Sequence, residues 1–274
     1  MHEAEISRVA TLFDALSDSY DNTGVDFFRP IARGLVHALK PTPGEQWLDI
    51  GCGKGAVIEA ALPQLMPAGG VTGIDISPRM VDMTAAAFAG DPHVEVLVDD
   101  AQNPSDGLGH FDVIASSLVL FFLPDPAAAL RSWQPRLRHN GRIGVTTFGA
   151  RDARWEHVDS VFQPYLPPSM KDARTSGTAG PFASDSGMED LLIANGYEQV
   201  RTVVEDIVVR FEDRAAWEAF TWSVGQRAMW LAIPEADRSV VRDEAFAILA
   251  NYADAHGVLE FQQLVRHTLG IWTG

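Results

Sequence analysis

The sequence predicts an α/β fold: a doubly wound sheet of seven strands with helices on both faces and a helical cap at one end. Three observations carry that prediction. Apolar runs short enough for buried strands alternate with stretches of helical period from residue 46 to residue 148. The first run, Gln46-Trp47-Leu48-Asp49-Ile50, leads into glycines on alternate positions, Gly51, Gly53 and Gly55, the punctuation of a strand that turns sharply into a helix. A second run, Val71 to Ile76, carries Asp75 near its end, about 20 residues beyond the glycines, where such a sheet places a carboxylate for a ribose diol.

Each element has its own justification. Ile6, Val9, Ala10, Phe13 and Leu16 recur at helical spacing over residues 3 to 16, and Asp18 to Asp21 break the pattern. Pro30 suits the first turn of a helix with Ile31, Leu35, Val36 and Leu39 as its buried stripe, and Pro41 to Gly44 end it. Val57, Ile58, Ala61 and Leu62 form the helix after the glycines. Ser77 caps the next helix and Pro78 opens it, with Met80, Val81 and Met83 on it. Strands follow at Val94 to Val98, Phe111 to Ala115 and Ile143 to Phe148, the last two separated by a helix from Pro126 that carries Ala129, Leu130, Trp133 and Leu137.

Composition changes after Gly149. Residues 151 to 187 are rich in aromatics and turn formers and read as loop and short helices over the open side of the sheet. Residues 188 to 212 supply a core helix and a strand from Tyr197 to Val209, residues 213 to 257 a helical insertion, and residues 258 to 274 the final strand, Leu259 to Leu269. The expected division is therefore residues 1 to 45 as N-terminal helices and lid, 46 to 150 as ligand-binding core, and the two insertions, 151 to 187 and 213 to 257, as a cap. Their shared wealth of aromatics calls for a common buried destination.

Charge and composition narrow the function. Lys and Arg number 21 against 37 Asp and Glu, a net charge of −16 that repels phosphate backbones, so nucleic acid is not the expected partner. Cys52 is the only cysteine, which excludes an intrachain disulfide and suits a reducing cytoplasm. No apolar run reaches membrane-spanning length, and no HExxH or comparable cluster proposes a metal site. The third glycine comes one residue too early for the dinucleotide fingerprint, and an acid precedes the first, which suits a nucleotide-like cofactor lacking a pyrophosphate.

Asp49-Ile50-Gly51-Cys52-Gly53-Lys54-Gly55 resembles the first motif of class I S-adenosylmethionine-dependent methyltransferases. The likeness continues in order through Gly73 to Ser77, Asp99-Asp100-Ala101, Phe111 to Ser117 with Leu123-Pro124-Asp125, and Leu137 to Ile143, where His139-Asn140 replace the usual proline and first glycine. The resemblance, to the small-molecule branch, implies a Rossmann-like methyltransferase sheet with a substrate cap and S-adenosyl-L-methionine as cofactor. It further implies that Asp49 meets the methionine ammonium, Gly51 and Gly53 give room, Asp75 holds the ribose, Met80, Asp100 and Ala101 hold the adenine, and Ile76 is a further cofactor contact. Asp99 is the alternative to Asp100. Ser116 and Ser117 would border the cofactor, Leu118 to Leu123 would run into the active-site wall, and Tyr20 would close over the cofactor.

The aromatics Phe28, Phe121, Trp155, Phe162, Tyr165, Trp222 and Trp230 are the expected substrate contacts, and His157 is the candidate base because imidazole titrates near neutrality. Phe121-Phe122 stand where many relatives carry two histidines, so the wall is apolar and positioning is expected to dominate. The expected function is methylation of an apolar or aromatic small molecule in secondary metabolism, with O-methylation preferred. C- or N-methylation of a terpenoid, indole or peptide-like metabolite is the alternative, and a cofactor-binding protein that does not methylate is the alternative of another class. Homo-oligomerisation is compatible with all three.

Overall fold

The computed structural model describes Asp14 and residues 23–167 and 179–274. The expected N-terminal helix therefore lies outside the described residues except for Asp14, as does Tyr20.

The first described helix, α1 (Phe28–Leu39), precedes β1 (Gln46–Ile50), α2 (Ala56–Leu65), β2 (Gly70–Asp75), α3 (Pro78–Ala87), β3 (Val94–Val98) and β4 (Phe111–Ser117). Then come α4 (Pro126–Trp133), β5 (Leu137–Arg151), α5 (Ala153–Asp159), α6 (Asp185–Ala194), β6 (Glu198–Phe211), α7 (Arg214–Ser223), α8 (Arg227–Ala232), α9 (Arg238–Leu249) and β7 (Leu259–Trp272). The strands form one sheet in the order β3-β2-β1-β4-β5-β7-β6, with β7 antiparallel to both of its neighbours and the rest of the pairings parallel. Strand order reverses between β1 and β4, and a doubly wound sheet opens a crevice at the carboxyl ends of the strands there.

Local chemistry starts and stops these elements where the sequence suggests. Ser77 Oγ accepts the Met80 N–H and Asp125 Oδ1 accepts the Ala128 N–H, each one residue before a proline that gives up no needed donor. Three strands run longer than their apolar cores. β5 begins at Leu137, because Leu137 pairs with Phe111 before the ladder resumes at Arg142 with Val113. Asn140 takes φ 62 within that irregularity, a conformation its side chain tolerates. β7 continues through Gly270 and Ile271 to Trp272, since Gly141 and Glu198 supply partners on either side.

Length also divides the sheet into two regimes. β1, β2 and β3 have 5 or 6 residues each, whereas β5, β6 and β7 have 15, 14 and 14. The surplus ends of β5, β6 and β7 carry a helical layer, in which α5, α7, α8 and α9 enclose Trp155, Phe162, Trp217, Phe220 and Trp230, all at most 3 % exposed. Burial of such rings is the largest apolar contribution available to an element of this size. A buried ionic tie fixes the layer to β5: Arg151 pairs with Asp159, and Gln226 Nε2 donates to Asp159 Oδ1 at 2.8 Å. Burial pushes the Asp159 carboxyl up to about 6 and outweighs the opposite pull of Arg151.

On the opposite part of the sheet α1 lies across β5, β7 and β6, and a polar chain runs beneath it from buried Thr146 and His267 out to the half-exposed Glu205. His267 holds Thr146 Oγ1 through Nδ1 at 2.9 Å and Glu205 Oε2 through Nε2 at 3.2 Å. Desolvation lowers the His267 pKa against the raising influence of Glu205. Gly34 makes room for this chain, because a Cβ there would lie 1.9 Å from Glu205 Oε2 and 2.7 Å from His267 Nε2. Gly34→Ala should therefore destabilise the fold by about 1 to 3 kcal/mol, the range for overpacking. In a Glu205→Ala background the penalty should shrink without vanishing, since the His267 contact remains; equilibrium urea denaturation of the single and double variants reads both effects.

Candidate functional site

β1 and β2 run side by side with Asp49 opposite Gly73 and Ile50 opposite Ile74, so both chains leave the sheet at one level. The exit is tight. Gly51 and Cys52 both donate their N–H to the Ile74 carbonyl, at 2.8 and 2.9 Å, which folds the chain back over the end of β2. That geometry puts Gly51 at φ 74 and Gly53 at φ 50, left-handed values that a side chain would strain. A Cβ on Gly51 would also lie 2.3 Å from Val119 Cγ2.

The turn aims donors at the second acid. Asp75 Oδ2 accepts the Gly53 N–H and Oδ1 accepts the Ser77 N–H, each at 2.9 Å. Burial raises the Asp75 pKa, the Ser77 and Gly53 N–H groups pull it back, and Asp14 adds to the rise; Asp14 itself accepts a hydrogen bond from Ser77 Oγ. Asp49 has no such help. It is 1 % exposed, and neither carboxylate oxygen has a hydrogen-bond partner among the described residues. Burial, with Asp75 nearby, pushes its carboxyl up to about 8, so the acid holds a proton at neutral pH.

Above the turn lies a cleft whose polar side comprises Gly51, Gly53, Asp75, Asp100, Ala101 and Ser117. Its apolar side comprises Ile76, Met80, Leu118, Val119, Phe122, Leu123 and Pro124. Asp100 faces this space, whereas Asp99 turns away to accept the Ser105 N–H and hydroxyl, both at 2.9 Å. Leu118 holds φ 61, an outlier for a bulky residue, at the point where β4 gives way to the cleft wall.

Of the expected cofactor residues, Gly51, Gly53, Asp75, Ile76, Met80, Asp100 and Ala101 come together around the cleft, and Asp49 lies buried at the end of β1. Ser116 does not join them. Its side chain points into the sheet and donates to the Ile50 carbonyl at 3.1 Å, while the next residue, Ser117, faces the cleft. The same one-residue displacement separates Phe121 from Phe122: Phe121 is 2 % exposed and stacks on Phe148 at 5.5 Å, and Phe122 lines the cleft. Alternation along β4 decides the first case. In the second, the short helical turn from Leu120 to Phe122 rotates successive side chains apart.

The expected substrate aromatics are mostly structural in placement. Trp155, Phe162 and Trp230 are buried among rings of the helical layer, with Phe162 4.9 Å from Trp230 and Trp155 5.6 Å from Phe261. Trp222 stacks on Trp230 at 5.5 Å and has Arg227 and Arg238 over its ring. Phe28 packs edge-on against Phe27, and Tyr165 is half-buried against the main core. His157 corrects the expectation of a base at the cleft: it sits on an exposed stretch of α5 with Nδ1 2.7 Å from the Tyr252 hydroxyl, and it does not line the cleft. Leu118, Val119 and Leu123 belong to the apolar run expected to lead into the active-site wall, Pro124 extends it, and the turn at Leu118 shows which members face inward.

A family described as a methyltransferase domain matches residues 48–143. The nocamycin O-methyltransferase of Saccharothrix syringae is 35% identical over 88% of this chain and 91% of its own length. The chain belongs to the S-adenosylmethionine-dependent methyltransferases. The aklanonic acid methyltransferase DauC of a Streptomyces strain is 36% identical over 60% of the chain and 75% of its own length. Among solved structures, the [4+2]-cyclase SpnF shares the fold with a TM-score of 0.57 at 18% identity, covering 98% of this chain and 97% of that one. S-adenosylmethionine is the cofactor, and the methyltransferase has a site that fits it: a buried carboxylate without a partner, beside a floor of glycines, suits a ligand that carries an ammonium.

Among the described residues, no group of three or more His, Cys, Asp or Glu is placed to hold a metal ion, and no helix is long and apolar enough to cross a membrane.

The acid pair makes stability depend on pH in the ligand-free protein. Asp49 titrates near its ordinary value of 3.8 when unfolded and at about 8 when folded, so its stabilising contribution is full below pH 4 and lost as pH rises through 8. At about 1.4 kcal/mol per unit, the ionised group costs the fold on the order of 5 kcal/mol above that range. Asp49→Asn should accordingly match the wild type in urea denaturation at acid pH and exceed its stability at pH above 8. A wild-type stability that rises with pH across this window, unchanged by the substitution, would show that Asp49 ionises freely.

Proposed function

We propose that this methyltransferase transfers a methyl group to an oxygen of a largely apolar or aromatic secondary metabolite, in the cytoplasm. The observation that carries the reading is the two-sided cleft, with Asp75 and Asp100 along one side and Leu118, Val119, Phe122, Leu123 and Pro124 along the other. The acids serve the cofactor and the wall serves an apolar acceptor. The O-methyltransferase named for nocamycin, similar along nearly all of the chain, supports oxygen as the acceptor atom, as does the acid named for DauC. A net charge of −16 argues against nucleic acid as substrate.

In this reading Asp75 accepts from the ribose hydroxyls while its other lone pairs stay with Gly53 and Ser77. Asp100 and Ala101 hold the adenine edge, Ile76 and Met80 its faces, and Asp49 answers the ammonium directly or through water. S-adenosylmethionine supplies the electrophilic methyl on a sulfonium. The protein's own work is to exclude water, orient the acceptor in line, and change the charge of one carboxyl group. Protonated in the ligand-free protein, Asp49 loses its proton when a cation binds beside it. No histidine, lysine or cysteine lines the cleft among the described residues, so catalysis rests on apposition and desolvation. The two insertions, residues 151 to 187 and 213 to 257, act as the substrate cap, with Trp155, Phe162 and Trp230 as its packed frame and Phe28, Tyr165 and Trp222 as partly buried rings against the core.

Titration calorimetry tests the cofactor reading. S-adenosylhomocysteine should bind more tightly as pH rises, by about tenfold per unit below the Asp49 pKa, with proton release seen as a dependence on buffer ionisation heat. Asp49→Asn should bind weakly with no such slope, and Asp75→Ala should lose about 1 to 3 kcal/mol of affinity. Tight, pH-independent binding to Asp49→Asn would remove Asp49 from the site.

Turnover tests the positioning reading. Incubation with phenolic and carboxylic aromatic acceptors, read by mass spectrometry, should give O-methylated product. His157→Ala should keep turnover within about tenfold of wild type across pH 6 to 9, against the hundredfold or greater loss expected on removing a general base. A larger, ionisation-linked loss would restore His157 as the base, and product methylated on carbon or nitrogen would replace the acceptor assignment.

A further inference from the structure

β6 is the last strand of the sheet: β7 pairs with one side of it, and its other side pairs with no strand among the described residues. From Arg201 to Phe211 the ladder with β7 is regular, and the irregularity that bends an edge out of reach is confined to Glu198 to Arg201, where Gln199 takes φ 49. The strand contains neither proline nor lysine, the common guards of an open edge.

Its two faces differ. Ile207, Val209 and Phe211 are buried at 4 %, 0 % and 0 % exposure, whereas the alternate residues Val204 and Val208 are 43 % and 54 % exposed, with Asp206 and Arg210 exposed beside them. A long regular edge that shows valines to water is a template for another strand.

We propose that β6 pairs antiparallel with β6 of a second copy, about a two-fold axis at Val208, to join two sheets into one. Charge complementarity selects the partner and the register. A two-fold axis normal to the sheet keeps each face on its own side, so the exposed stripe of one copy meets the same stripe of the other. Centred on Val208, the pairing sets Val208 against Val208 and Asp206 against Arg210 twice, with Ile207 opposite Val209 on the inner face. Moving the centre to Ile207 sets Asp206 against Val208, and moving it to Val209 sets Asp206 against Glu212. Centres at Asp206 or Arg210 oppose like charges. Arg210 already donates to Glu212 and Glu260, at 3.1 and 3.0 Å, and its remaining guanidinium N–H groups are available to the facing carboxylate.

Sedimentation of the full chain at micromolar concentration should give twice the monomer mass. Val208→Lys should raise the dissociation constant at least tenfold, with unchanged circular dichroism and thermal midpoint, since crowding two ammonium groups at the axis opposes association. Asp206→Arg and Arg210→Asp should each be monomeric alone and should form a mixed dimer when combined, because each then supplies the charge that the other lacks. Hydrogen exchange of the wild type should show amides of residues 204 to 210 losing protection on dilution, a readout independent of whether any variant folds. A monomeric wild type, a dimer that survives Val208→Lys, or edge amides whose exchange ignores concentration would overturn the proposal.

Discussion

Two carboxylates at the ends of neighbouring parallel strands are the constraint around which this molecule is arranged. The glycine turn cannot close over β2 without burying Asp49, and it cannot avoid facing Asp75, because Gly51 and Cys52 both hydrogen bond to the residue before that acid. Burial, with the neighbouring Asp75 adding to it, keeps the deeper group protonated, while backbone donors wrap the shallower one. The deeper group sits neutral at the end of β1, where no described side chain answers a charge.

The rest of the sheet answers a different demand. Five or six residues suffice for β1 to β3, which only have to reach the cleft, whereas β5 to β7 run on to support α5 and α7 to α9. Tryptophans and phenylalanines in that layer pack mainly on one another. The layer is stabilised by its own rings, and the Arg151, Asp159 and Gln226 tie joins it to the end of β5. Depth in the layer thus separates framework aromatics from those near solvent, a distinction that composition does not contain.

Chemistry at the cleft wall follows from the same division of labour. Leu118, Val119, Phe122, Leu123 and Pro124 carry no proton to give or take. The left-handed turn at Leu118 is where β4 hands over to this wall. The SpnF likeness shows that this architecture does not by itself dictate a reaction. Sequence similarity along nearly the whole chain, together with the acids at 49, 75 and 100, ties the present molecule to methyl transfer.

The sequence by itself determined the sheet, its order of elements and the cofactor end of the site. Those features depend on short-range signals: strand-length apolar runs, N-caps at Ser77 and Asp125, and glycines whose positive φ no other residue would adopt cheaply. Asp49, Asp75 and Asp100 were legible because each follows or ends a strand, where backbone geometry alone fixes its level. Only the tertiary structure decided which neighbour of a pair faces the cleft, giving Ser117 over Ser116 and Phe122 over Phe121. It also decided that Trp155, Phe162 and Trp230 are framework and that His157 bonds Tyr252 away from the cleft. The physical reason is common to all of these. A side chain's direction at a strand end depends on one or two dihedrals and on what packs behind it from distant segments, and neither quantity is written in the local run of residues.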